Sequence, residues 1–185
     1  MKTVYIVCSG PSLKGFDFSL LDGKDVICVN KTIKWVDNPV AVVALDSKHF
    51  VEIYDEFAKL ECPIYAMKRY DEHPIKDELG VIELENTGVN GIEYDQGIRH
   101  GFNSGYMAMN VAIKLGYDDL RVLGMDLNKG GHFYDNETYD YRYVLAHLKV
   151  FKDELMDNIQ VTFYGNTNAD MFENKPLDEI SSFKS

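Results

Sequence analysis

The residues of this chain whose types and spacing suit chemistry fall at the ends of apolar runs. The first group is the loop Ser9-Gly10-Pro11-Ser12-Leu13, directly after the run Thr3 to Cys8. Gly10 allows backbone to approach a ligand closely, Pro11 fixes the turn, and the Ser12 hydroxyl can donate to a phosphate or cap a short helical turn. An ordinary strand-to-helix turn explains the same composition, and no GxxxxGK[ST] motif is present. Asn30 and Asp46 end the second and third apolar runs, so with Ser9 they offer three polar strand ends at one sheet edge. Each alone is also a usual turn or cap residue. Asn103-Ser104-Gly105 precedes an almost wholly apolar stretch, where a helix N-terminus would present free N–H groups and a favourable dipole to a phosphate; Asn103 or Ser104 also suits plain N-capping.

Gly124-Met125-Asp126 ends a further run and leads into Asn128-Lys129-Gly130-Gly131-His132-Phe133-Tyr134-Asp135. A histidine in a glycine-rich loop at this edge has the titration range of a general base, and an exposed loop histidine is the competing reading. Tyr134, Tyr139, Tyr141, Arg142 and Tyr143 form a dense phenol cluster. It reads as a flap donating to phosphate oxygens, with Arg142 as the charge-assisted contact, or as helix-start packing and interface. His49, His73 and His100 show no metal-ligand spacing, and His147 sits inside an amphipathic helix.

The elements that must position these residues alternate in kind. Strand-like runs are expected at Thr3 to Cys8, Asp25 to Asn30, Val40 to Leu45, Pro63 to Ala66, Asp119 to Gly124 and Ile159 to Tyr164. Helices are expected as a short turn opening at Ser19, an amphipathic stretch over Ser47 to Leu60, a buried one over Ser104 to Leu115 stopped by Gly116, and one from about Tyr141 to Met156. The alternation predicts a single α/β domain over 1–185 with a doubly wound, mostly parallel, Rossmann-like sheet. Residues 70–102, rich in charge and glycine, read as an irregular excursion, and 127–141 as a lid loop.

Thirty acidic against nineteen basic side chains leave a formal charge of −11, and no cluster, Lys68-Arg69 included, makes a basic footprint. Strong nucleic-acid binding is therefore not expected. The three cysteines, Cys8, Cys28 and Cys62, suggest neither a disulfide framework nor a zinc site. No run is long enough to span a membrane and the first apolar run is too brief for a signal segment, so the expected location is the cytoplasm.

In their order and context these motifs resemble the small bacterial sialyltransferases of glycosyltransferase family 42. The resembling residues are Ser9-Gly10-Pro11-Ser12-Leu13, Cys28-Val29-Asn30, Ser104-Gly105 with the following helix to Leu115-Gly116-Tyr117, Gly124-Met125-Asp126 and the closing IQVTFYGNTN. The resemblance implies a sialyltransferase-like fold that binds a CMP-linked sugar without a metal. It implies a histidine that deprotonates the acceptor hydroxyl and lid tyrosines that assist the departing phosphate. Carried over, Ser9, Gly10, Ser12, Asn30, Ser104 and Gly105 contact the donor, Asp46 stands for the polar residue ending the third strand, and Arg99 for an arginine before Ser-Gly. The chain departs from that pattern in two places. The asparagine between the loop's two glycines is missing, the loop here reading Cys8-Ser9-Gly10, and the segment after Asp126 is shorter than the family's lid. His132 takes the base role by location rather than by motif.

The sequence thus predicts a metal-independent glycosyltransferase with no cofactor, its partners a nucleotide sugar and a small-molecule or glycan acceptor. Catalysis is assigned to His132, Tyr134 and Arg142. Binding is assigned to Ser9, Gly10, Pro11, Ser12, Asn30, Asp46, Arg99, Asn103, Ser104, Gly105 and Asp126. A more distant resemblance, through the Gly-Pro-Ser-Leu loop, is to archaeal-type 6-hydroxymethylpterin diphosphokinases, which implies ATP and Mg²⁺ held near Asp46 and Asp126. A non-catalytic nucleotide- or sugar-binding module is the third reading, and a homo-oligomer stays open.

Overall fold

The computed structural model describes residues 1–68, 74–135 and 137–183. Arg69 and His73, singled out above, lie outside them, as does the start of the expected excursion, 70–73. Eight parallel strands form the central sheet: β1 Thr3–Val7, β2 Val26–Val29, β3 Ala41–Val43, β4 Ile64–Met67, β5 Ile82–Leu84, β6 Asp119–Leu123, β7 Gln160–Tyr164 and β8 Glu173–Lys175. Their spatial order is β8-β7-β6-β1-β2-β3-β4-β5. The chain therefore winds outward from β1 to one edge, returns to β6 beside β1, and winds outward again. Such a reversal opens a crevice beyond the carboxyl ends of the two central strands, because their following loops turn to opposite faces.

Alternation along β1 fixes the two faces. Val4 and Ile6 point into the apolar layer under helices α4 (Ser104–Lys114) and α5 (Val144–Glu154), with Tyr106, Met107, Leu148 and Phe151. Tyr5 and Val7 point into the opposite layer, filled by Leu13, Leu21, Ile33, Phe50 and Phe57. Ten consecutive residues of α4, Ser104 to Ile113, are buried, so its apolar sequence reflects burial all round. The helix ends before Gly116, whose φ of +79° is the left-handed conformation that stops it.

The stretch expected as one helix over Ser47 to Leu60 is broken into α1 (Ser47–Glu52) and α2 (Tyr54–Phe57). Ile53, at φ −132° and ψ 43°, leaves the helical region, and this lets both Phe50 and Phe57 reach the core, their ring centroids 5.0 Å apart. The part of the expected excursion that is described, 74–102, carries helix α3 (Ile75–Glu78), the edge strand β5 and a small parallel ribbon of Asn86–Gly88 with Ile98–Arg99. These elements escaped the sequence reading because each spans four residues or fewer and presents little periodicity. Lys129–Gly130 pairs antiparallel with Tyr139–Asp140, so the expected lid loop is a hairpin folded back over the sheet edge. No helix among the described residues is long and apolar enough to cross a membrane.

Candidate functional site

A cavity of about 260 Å³ opens at the reversal point, between the loops after β1 and β6, the start of α4 and the hairpin. Of the residues assigned to catalysis or binding from the sequence, Ser9, Gly10, Pro11, Asn30, Asp46, Asn103, Ser104, Gly105, Asp126 and His132 line it. Ser12, Arg99, Tyr134 and Arg142 do not.

Gly10 is there for want of space. A Cβ on it would lie 2.5 Å from the Gly124 carbonyl oxygen and 2.7 Å from Asp126 Cγ, and its own N–H donates to that same carbonyl at 2.6 Å. The two central loops are thus sutured at the floor of the cavity. Asp126 completes the suture, accepting from the Ser12 N–H at 2.8 Å and from the Ser12 hydroxyl at 2.6 Å. Burial raises the Asp126 carboxyl above its ordinary value, and the two Ser12 hydrogen bonds oppose the rise. The Ser12 hydroxyl thus donates its proton to Asp126, a buried carboxylate that is a demanding acceptor.

Gly105 answers a second close approach. A Cβ there would sit 2.7 Å from Cys8 Sγ and 3.2 Å from Met125 Sδ, so α4 can start against the ends of β1 and β6 only as glycine. Asn103 caps α4 by accepting from the Tyr106 N–H at 3.0 Å. The Ser104 hydroxyl accepts from the Leu45 N–H at 3.2 Å and ties α4 to the loop after β3. Helix geometry leaves the first-turn amides at Ser104 and Gly105 without intrahelical acceptors, at the wall of the cavity.

His132 is held on several sides. Its Nδ1 lies 2.8 Å from Asp135 Oδ2, and its Nε2 lies 3.2 Å from the Tyr141 hydroxyl. Tyr134 stacks on the imidazole at 5.1 Å and 19°, and Trp35 stacks on Tyr134 at 5.3 Å and 11°. Burial alone would raise the Asp135 carboxyl, but the hydrogen bond and charge of His132 bring it below its ordinary value. An ionised Asp135 favours the tautomer with the proton on Nδ1, which leaves the Nε2 lone pair facing the phenols. Burial pushes Tyr141 up to about 12, so it stays a neutral donor at any ordinary pH.

The remaining assignments move. Tyr134 belongs to the stack behind His132: burial raises its phenol to about 12, while a hydrogen bond with Ser9 works the other way. Arg142 points to solvent and grips Asp140 through Nε at 2.9 Å and Nη2 at 2.6 Å, because two residues of turn place the carboxylate in its fork. Arg99 lies under the Gly88 ribbon with Nε 3.7 Å from Glu93.

In their place the structure brings in Lys48 and His49, and of the phenol cluster it sets Tyr139, Tyr141 and Tyr143 at the cavity wall. Lys48 is the one lysine or arginine among the described residues that line the cavity, and it forms no ion pair with them. His49 is buried, which lowers its imidazole to about 4, with nearby Lys48 adding to the effect, so it is neutral at pH 7. Both passed as residues of an amphipathic helix. The signal that could have found them is their place two and three positions after the strand-end Asp46, in the first turn above the sheet edge.

Backbone strain gathers at the same place. Of the four non-glycine residues with left-handed φ among the described residues, Asn30 at 53°, Phe102 at 52° and Leu127 at 56° line the cavity, and Asn38 does not. A non-glycine residue pays of order 1–3 kcal/mol for such a conformation, and folds keep it where a side chain or carbonyl must face a ligand. Asn30 Oδ1 is buried with no hydrogen-bond partner among the described residues, an acceptor left for a donor from outside the chain.

A solved structure with the same fold is that of the sialyltransferase CstII from Campylobacter jejuni in complex with the substrate analogue cytidine-5'-monophosphate. The two share 18% sequence identity and a TM-score of 0.57, over 96% of this chain and 86% of that one. No family model matches the chain, and no curated protein does.

Proposed function

We propose that this protein is a metal-independent glycosyltransferase that moves a sugar from a nucleotide donor, CMP-linked, to an acceptor hydroxyl. The observation that carries the reading is His132, set in the cavity at the reversal point with Asp135 on Nδ1 and Tyr141 on Nε2. Its fold is that of a sialyltransferase solved with a cytidine nucleotide, which supports the choice of donor.

In the proposed reaction the nucleotide phosphate lies at the Ser104 and Gly105 amides, with Lys48 the cation that approaches it. The acceptor hydroxyl displaces the Tyr141 hydroxyl from His132 Nε2 and gives up its proton there. Its oxygen forms a bond to the anomeric carbon as the bond from that carbon to the phosphate oxygen breaks, and CMP leaves with the electron pair. Asp135 stabilises the imidazolium that results. The freed Tyr141 hydroxyl is available to the departing phosphate, the role that the sequence reading gives to Tyr134 and Arg142. Nothing in this sequence of steps requires a metal, and both oxygens of Asp126 are already engaged by Ser12.

The test is release of CMP from CMP-sialic acid, with and without an acceptor sugar, in EDTA and in Mg²⁺. The reading expects equal release in both and a higher rate with acceptor. Release that depends on Mg²⁺, or none from any nucleotide sugar, overturns it.

A further inference from the structure

Phe102 is an exposed phenylalanine, 58% accessible, in a left-handed backbone conformation at the mouth of the cavity. Both features are unfavourable. A ring of that size left in water forgoes about 1.5–3 kcal/mol of burial, and left-handed φ is a genuine outlier for a bulky side chain. The preceding Gly101, itself at φ 54°, could not be exchanged cheaply either, since a Cβ there would lie 2.5 Å from the Tyr106 ring. Neighbours hold Phe102 in place regardless. Its N–H donates to His100 Nδ1 at 3.1 Å, its carbonyl accepts from the Tyr143 hydroxyl at 3.0 Å, and the buried His100 ring meets its own ring edge-on at 4.9 Å and 84°.

The pinning runs back to the candidate base. Tyr143, 47% exposed, lies two residues from Tyr141, whose hydroxyl meets His132 Nε2. One rim of the cavity thus carries His132, Tyr141, Tyr143 and Phe102 in connected order, the last two with ring surface open to solvent. Aromatic faces presented beside hydrogen-bonding phenols and a carboxylate, here Asp46, suit a ligand with an apolar ring face and hydroxyl edges.

We infer that Phe102 and Tyr143 form the acceptor platform, on which the C–H face of a neutral pyranoside stacks while one of its hydroxyls turns toward His132. This rests on the glycosyltransferase reading and goes beyond it by assigning the acceptor's seat and chemical class. Phe102 is a specificity-determining residue: it binds the acceptor and takes no part in proton transfer.

The test uses a panel of p-nitrophenyl and methyl pyranosides, read by saturation-transfer NMR on the whole chain with CMP present, against wild type, Phe102→Ala and Phe102→Trp. CMP affinity is read separately by thermal shift. At least one neutral pyranoside is expected to bind wild type. Its affinity should fall roughly tenfold in Phe102→Ala, as loss of one stacked ring implies, and recover in Phe102→Trp. The loss should exceed any loss in CMP affinity by about the same factor. Equal affinity in wild type and Phe102→Ala, equal losses for pyranoside and CMP, or binding of no pyranoside overturns the platform. Failure of the glycosyltransferase reading shows elsewhere, as absent CMP release from every nucleotide sugar.

Discussion

Replacing Gly10 by alanine probes the suture between the two central loops. Its φ of −61° suits any residue, so the cost of Gly10→Ala is steric and not conformational. The new methyl would sit 2.5 Å from the Gly124 carbonyl oxygen and 2.8 Å from Asp126 Oδ1. Restoring ordinary contact needs a separation of about 1 Å between the loops, because non-bonded atoms settle near 3.5 Å. The Gly10 N–H to Gly124 bond, now 2.6 Å, and the Ser12 bonds to Asp126, now 2.6 and 2.8 Å, would then stretch beyond hydrogen-bonding range. One neutral bond and the bonds to a buried carboxylate together put the loss at about 3–5 kcal/mol. For a chain of this length that corresponds to a fall of about 10 °C in Tm. Urea unfolding followed by circular dichroism, beside a thermal scan, measures both. A Gly10→Ala protein within 0.5 kcal/mol of wild type would refute the claim that these loops are held apart by no more than a hydrogen atom.

Two further expectations rest on the same geometry. Ser12→Ala removes the hydroxyl donor to Asp126 and should cost about 1.5–3 kcal/mol at pH 7 in the same urea measurement, the range for a hydrogen bond to a charged group. His49, lowered by burial to about 4 from an ordinary 6.5, takes up its proton more readily unfolded than folded; the unfolded state binds more protons between those values, so stability is lost as pH falls from about 6.5 toward 4. At pH 4.5 the loss is about 2 kcal/mol relative to pH 7, and His49→Gln should remove that share of the pH dependence. A His49→Gln protein with the wild-type slope would place the effect on other groups.

The parts of the fold that announced themselves in the sequence are those buried on both faces. β1, β2, β3, β4, β6 and β7 are apolar runs bounded by turn residues, and α4 and its stop at Gly116 read directly because burial demands apolar side chains throughout. The edge strands β5 and β8 did not, since apolar runs give way there to exposed, half-exposed or charged residues such as Glu83, Glu173 and Lys175. Within the site, strand-end residues such as Asn30, Asp46 and Asp126 are located by topology alone. What could not be read was the direction of side chains in loops. Ser12 turns to Asp126, Arg142 to Asp140 and Tyr134 to Trp35, each drawn by a partner whose proximity only the folded chain creates. Asp135 shows the same limit from the other side. It stood three residues from His132 in the sequence, and the turn between them makes it the partner of Nδ1.

The most direct measurement is single-turnover release of CMP from CMP-sialic acid by wild type and His132→Ala in the presence of an acceptor pyranoside. If His132 takes the acceptor proton at Nε2, the variant should transfer about 10² to 10⁴ times more slowly, the usual contribution of a general base. Transfer by His132→Ala at the wild-type rate would contradict the account.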